Sequence, residues 1–327
     1  MTSTTLPDVL AAYPEKSAFD WDPLLHNLAP NDLSKLIEDT PEFRAAVRAQ
    51  AQKDSMNPLW RWYGTNPVTV FDLKLQDAYL PITAYTTPPP LPQIDMSKDI
   101  TVLEQLNLEG STPMFKVQVG DSVRVIKVFM DADPEEVVDH PDRDMPSIAM
   151  VRFRREKEAY AHLLHYGACQ KRVVPMCYGW AELPSSLVEE LSERFGDVDG
   201  AEQVSQDIAC LKDLSRPPKA IMLEYIEDAV NLSLSNVSTK IAETVLRALC
   251  VVHACYVKHN NIARRNILVL KDKRVVLVDF GHAYCVSRKK PDFVRRQDLL
   301  KELSRAWSFL YADLLPDQRI DFHHWMY

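Results

Sequence analysis

His259-Asn260-Asn261-Ile262-Ala263-Arg264-Arg265-Asn266-Ile267-Leu268-Val269, followed by Val275-Val276-Leu277-Val278-Asp279-Phe280-Gly281, is the stretch that decides the fold. Two short β-branched runs, 266–270 and 275–278, flank the polar turn Lys271-Asp272-Lys273-Arg274, a pattern that predicts a hairpin. The hairpin is expected to bring Asn266 and Asp279 together. An amide oxygen and a carboxylate are hard ligands of the kind that hold Mg2+.

The 327 residues are 46% hydrophobic, enough to bury a large core in two domains or one two-lobed domain. A net charge of −8 and a pI near 5.6 leave no basic footprint, so neither nucleic acid nor an anionic membrane is expected as a partner. The start Met1-Thr2-Ser3-Thr4-Thr5-Leu6-Pro7-Asp8 lacks the basic residues and apolar stretch of a signal peptide, and no run reaches membrane-helix length. A cytoplasmic location is therefore expected. The cysteines, at 169, 177, 210, 250, 255 and 285, form no C-x-x-C pair and read as reduced thiols.

Residues 1–98 read as an extension. Thr40-Pro41-Glu42 predicts a helix over 41–52, and Trp60, Trp62 and Tyr63 supply either a docking surface or a ligand platform. Pro88-Pro89-Pro90-Leu91-Pro92 reads as a stiff linker or as a ligand for a proline-recognition domain. Strands are expected over 100–108, 114–119 and 123–130, with a turn at Gly120-Asp121. A solvated acidic loop follows, with Asp131, Asp133, Glu135, Glu136, Asp139, Asp142 and Asp144. Then come a helix over 148–166, a strand near 173–181, a polar helix-prone insertion at 184–218, a strand over 220–226, and helices over 238–258 and 295–311.

The quoted stretch resembles the catalytic loop H-R-D-L-x-x-x-N and the D-F-G motif of the protein-kinase superfamily, in its atypical, compact forms such as fungal kinase-like families. Lys127, in Val125-Ile126-Lys127-Val128, resembles the lysine that holds nucleotide phosphates. Glu156 resembles its helix partner, with Glu158 as the alternative. Leu223-Glu224-Tyr225-Ile226 resembles the hinge that meets adenine, which assigns Glu224 and Ile226 to cofactor binding. Gly110 is the lone glycine in the place of a phosphate-covering loop. Asn266 and Asp279 are the metal ligands that the resemblance implies, with ATP and Mg2+ as cofactors.

The expected fold is α+β and two-lobed, protein-kinase-like. It has a small antiparallel-sheet lobe at 99–226, a reduced helical lobe at 227–327 and the extension at 1–98. Asn261 stands where the family has its catalytic Asp, and a carboxamide is too weakly basic to take a proton from an acceptor hydroxyl. The resemblance thus implies a nucleotide-binding pseudokinase or an impaired phosphotransferase. One alternative is an active ATP-dependent phosphotransferase on a small-molecule or protein acceptor. The other is a non-catalytic adaptor that binds no nucleotide.

Overall fold

The computed structural model describes residues 85–96, 100–107, 112–130, 147–196, 208–214, 216–286, 292–307, 309–310 and 314–315. The helix expected over 41–52, the aromatic cluster at 60–63, the acidic loop and Gly110 lie outside them. The protein is α+β, with antiparallel sheets, and it divides into two compact units.

The first unit comprises, among the described residues, Pro88–Glu227 and Asp279–Ala283. Its sheet is built from β1 (Ile100–Gln105), β2 (Met114–Val119), β3 (Ser122–Phe129), β4 (Cys177–Glu182) and β5 (Lys219–Glu224), in the order β1-β2-β3-β5-β4 with all neighbours antiparallel. The β2–β3 turn works because Gly120 takes a φ of +55°, a region closed to most side chains. Alternation along β3 sends Ile126 and Val128 to one face and Lys127 and Phe129 to the other, and all four are buried.

The first of those faces is covered by α2 (Ser185–Phe195). Leu187, Val188 and Leu191 join Phe115, Val117, Ile126 and Val128 in one core. The segment read as a polar insertion therefore supplies part of the core, because its apolar residues fall on one helical face. α1 (Ile148–His165) lies against β3, β4 and β5. Ser147 caps it by accepting a hydrogen bond from the Met150 N–H at 3.2 Å, and Phe153, Glu156, Tyr160, Leu163 and Leu164 form its buried stripe.

The proline-rich segment is neither a free linker nor an available proline ligand. It forms a strap along the edge of β4. The Ile94 N–H donates to the Trp180 carbonyl at 2.8 Å and the Trp180 N–H to the Pro92 carbonyl at 3.0 Å. Trp180 also donates its indole N–H to Leu91 O at 3.2 Å. Leu91, Ile94 and Met96 are buried, each side chain contributing about 1.5–3 kcal/mol by leaving water. Gly179 makes the approach possible. Its φ is +136°, and a Cβ there would lie 2.7 Å from both Ile94 Cγ2 and Pro92 O.

The second unit takes in Asp228–Val278 and the described chain from Tyr284 onward. The expected hairpin forms between β8 (Ile267–Val269) and β9 (Val275–Leu277), and β6 (Val230–Asn231) pairs on the far side of β8. β7 (Val257–Lys258) pairs with β10 (Tyr284–Cys285). α3 (Thr239–Ala254), capped by Ser238, is buried along most of its length. It packs on α4 (Asp292–Trp307), which buries Leu299, Leu303 and Ala306.

Gly179→Ala is expected to destabilise the protein by about 2 kcal/mol or more, from backbone strain and overpacking together. Urea unfolding should show a lower midpoint with an unchanged slope. A midpoint equal to that of the parent chain would mean that the strap is not seated on β4.

Candidate functional site

Within the first unit the sequence-predicted residues Lys127, Glu156 and Asp279 meet. The sheet register sets Lys127 opposite Met114 and Ile221 in the middle of three strands, so its ammonium is held where water does not reach. It donates to Glu156 Oε2 at 2.7 Å and to Asp279 Oδ1 at 2.5 Å. Glu156 is fully buried, whereas the Asp279 side chain keeps 32% of its exposure. Burial works against the Lys127 charge, but the facing Glu156 and Asp279 carboxylates outweigh it and hold the amine above its ordinary value. Burial holds the Glu156 carboxyl above its usual range, with Lys127 opposing and Asp279 reinforcing the shift.

Asp279 takes a φ of +66°, a left-handed position that Asp tolerates better than most residues. The turn it starts packs closely on α1: a Cβ at Gly281 would sit 3.4 Å from Arg152 Cβ and 3.5 Å from Glu156 Oε2. Phe280 is buried edge-on against Tyr160, with centroids 5.4 Å apart. Tyr160 carried no signal in the sequence beyond its place in the apolar stripe.

At the strand end expected to meet adenine, Glu224 accepts a hydrogen bond from the Met176 N–H through its own carboxylate, at 3.0 Å. Beside it the Lys116 ammonium lies 4.4 Å from the centre of the Tyr225 ring and bonds Glu104 at 3.0 Å. Ile226 is half-buried.

Asn261 and Asn266 belong to the second unit, where the Asn266 amide donates to the Asn261 carbonyl oxygen at 2.8 Å. Asn266 is buried, and its own carbonyl accepts from the Val278 N–H at 3.0 Å. The residue that organises this loop is Glu302 of α4. Its Oε2 bonds His253 Nε2 at 2.8 Å and the His259 N–H at 2.9 Å, and its Oε1 accepts from the Asn260 N–H. Burial alone would raise the Glu302 carboxyl, but the His253 hydrogen bond and charge, with His259 and the Asn260 N–H, hold it below the ordinary range. Glu302 was missed because a buried Glu on an amphipathic helix looks like its solvated neighbours.

Residues 84–284, well over half of the chain, match the sequence model of the family described as Kinetochore Sim4 complex subunit FTA2. No curated protein matches the chain. The match overturns the protein-kinase assignment and, with it, the nucleotide-binding pseudokinase or phosphotransferase function, because the family found is one of kinetochore complex subunits. The finding that overturns it is the family match, and the local geometry shows what else the same spacing can build. The spacing that resembles kinase motifs also builds a buried ion cluster around Lys127 and a hydrogen-bonded loop around Glu302, and both are closed by the chain's own groups.

Lys127→Met is expected to destabilise the fold by roughly 3–5 kcal/mol by stranding Glu156, and Lys127→Met/Glu156→Met to recover most of that loss. Urea denaturation of both variants measures this, and a double variant no more stable than the single one would refute it. Glu302 predicts a pH dependence. Because its pKa is depressed on folding, its stabilisation is complete above the unfolded value of about 4.3 and is lost as pH falls through the folded value. Glu302→Gln should therefore melt lower than the parent chain at neutral pH, with the gap closing in acid. A gap that stays constant from pH 7 to about pH 3 would contradict this assignment.

Proposed function

We propose, because this chain belongs to the kinetochore Sim4 complex subunit FTA2 family, that it acts as a non-catalytic adaptor, a folded body that joins other proteins in a kinetochore assembly. Of the small-molecule or protein partners expected from the sequence this reading keeps the proteins, and a nuclear, centromeric location replaces the cytoplasmic one. Among the described residues no helix is long and apolar enough to cross a membrane. The two-lobed, kinase-like layout is part of this proposal as scaffold geometry alone. Its support is the five-stranded antiparallel sheet with one long helix between the third and fourth strands.

The observation that carries the reading is the family match. The local chemistry agrees with it. Two of the three Lys127 N–H donors are already held by carboxylates, which leaves one at most for a phosphate. Adenine would meet a charged Lys116–Tyr225 pair in place of an apolar slot. A ligand that binds the folded state at 100 times its dissociation constant adds about 2.7 kcal/mol. Millimolar Mg-ATP is therefore expected to leave the melting temperature unchanged, and Asn261→Asp to create no ATP turnover. A tagged chain expressed at its natural level should form foci at centromeres. A saturable Mg-ATP shift, or a signal spread evenly through the cytoplasm, would overturn the adaptor reading.

A further inference from the structure

Between α1 and the sheet face that receives it runs a ladder of three rings, Phe129 and Trp180 on strands and Phe153 on the helix. Phe129 and Phe153 lie 5.5 Å apart, and Phe153 and Trp180 5.7 Å apart, both pairs edge to face. Three lysines sit over this ladder: Lys127 5.6 Å from the Phe129 centroid, Lys219 5.7 Å from Phe153, and Lys157 3.9 Å from Trp180. Their electrostatic situations differ. Lys127 is neutralised by Glu156 and Asp279. Among the described residues Lys157 and Lys219 have aromatic faces and no carboxylate within ion-pair distance. Glu182, exposed and opposite Lys219 in the strand register, is the nearest acid by pairing.

The charge that bears on Lys157 is another cation. Burial, and then Lys219, hold its amine below the ordinary value. Arg154, exposed, lies three residues earlier on the same side of α1. Two ammonium groups repelling each other over a partly dry aromatic floor are a poor resting arrangement and a good receptor. The rings hold the lysine stems in place, and each ammonium keeps N–H donors to offer.

We propose that Lys157 and Lys219, seated on the Phe153 and Trp180 rings, bind a phosphorylated side chain of a partner protein. This inference rests on the adaptor reading and gives the partner a chemistry. A phosphoserine or phosphothreonine brings close to two negative charges in one compact group, matching two point-charge donors better than a single carboxylate does. A nucleic-acid duplex fits poorly. It presents a row of phosphates, whereas this chain has a net charge of −8 and carries Asp131, Asp133, Glu135, Glu136, Asp139, Asp142 and Asp144 just ahead of α1.

The test uses the full chain labelled with nitrogen-15 and follows the indole N–H signal of Trp180, assigned through Trp180→Phe. The signal should move saturably on titration with a short phosphoserine peptide and stay fixed with its serine counterpart. In Lys157→Gln/Lys219→Gln the peptide affinity should fall about tenfold or more. Lys157→Arg/Lys219→Arg should retain binding, which separates lost charge from lost structure, and Lys271→Gln in the second unit should titrate as the parent chain does. Four results would each overturn the proposal: equal response to both peptides, no response, binding that survives the double Gln variant, or a response to duplex DNA in place of the peptide. Binding that emerges only after the seven acids at 131–144 are neutralised would also overturn it, by showing that the chain fills the seat itself. A chain that forms centromeric foci but ignores the phosphopeptide removes this inference alone, whereas one absent from centromeres removes the reading beneath it.

Discussion

The contact between Lys127 and Glu156, 2.7 Å long and closed to water, is the constraint around which the first unit is arranged. Removing two charges from water costs several kcal/mol each, and their attraction repays this only in good geometry. β3 must therefore deliver its lysine at one register, α1 must present its glutamate on the turn that faces the sheet, and the chain must return at Asp279 to accept another of the lysine's donors. The fully buried Phe129, Tyr160 and Phe280 around it keep the site dry, which raises the penalty for any arrangement that separates the pair. Such a cluster adds little net stability.

The second unit meets the same difficulty with a different set of groups. Glu302 is a buried carboxylate whose partners are two backbone N–H groups and a histidine, so one side chain fixes the path of a loop that contains a left-handed residue, Asn260. In both units a buried charge is met by groups of the chain itself.

How much of this was legible in the sequence depended on whether the signal was local. The β2–β3 hairpin, α1 and the β8–β9 hairpin follow from alternation, helical spacing and turn residues, and Lys127 and Glu156 stood out as charges inside apolar patterns. The strap did not. Three consecutive prolines read as a stiff spacer because the docking of Leu91, Pro92 and Ile94 that follow them depends on Gly179, far along the chain and itself unremarkable in sequence. Glu302 was equally invisible, its role being set by the backbone of another segment. The functional error has a different origin. Motif spacing reports which polar groups converge: it pairs Lys127 with Glu156, whereas the contact of Asp279, expected beside Asn266, with Lys127 carries no such signal. Spacing does not report whether those groups are left available, and here they are consumed by one another. The surfaces through which an adaptor works carry no periodic signal.

The three charges of the first unit also impose an order on the birth of the protein. Lys127 and Glu156 are separated by 29 residues, but Asp279 lies 152 residues beyond the lysine. A ribosome adding about 5–20 residues per second needs several seconds to make that intervening chain, and the strap waits in the meantime for β4 to be made. During that interval the nascent sheet has an incomplete ion cluster and unsealed strand edges, the kind of exposed pairing surface that invites mispairing with neighbouring chains. The long-range closure that completes the cluster thus leaves the sheet unfinished for much of the time that the chain is being made.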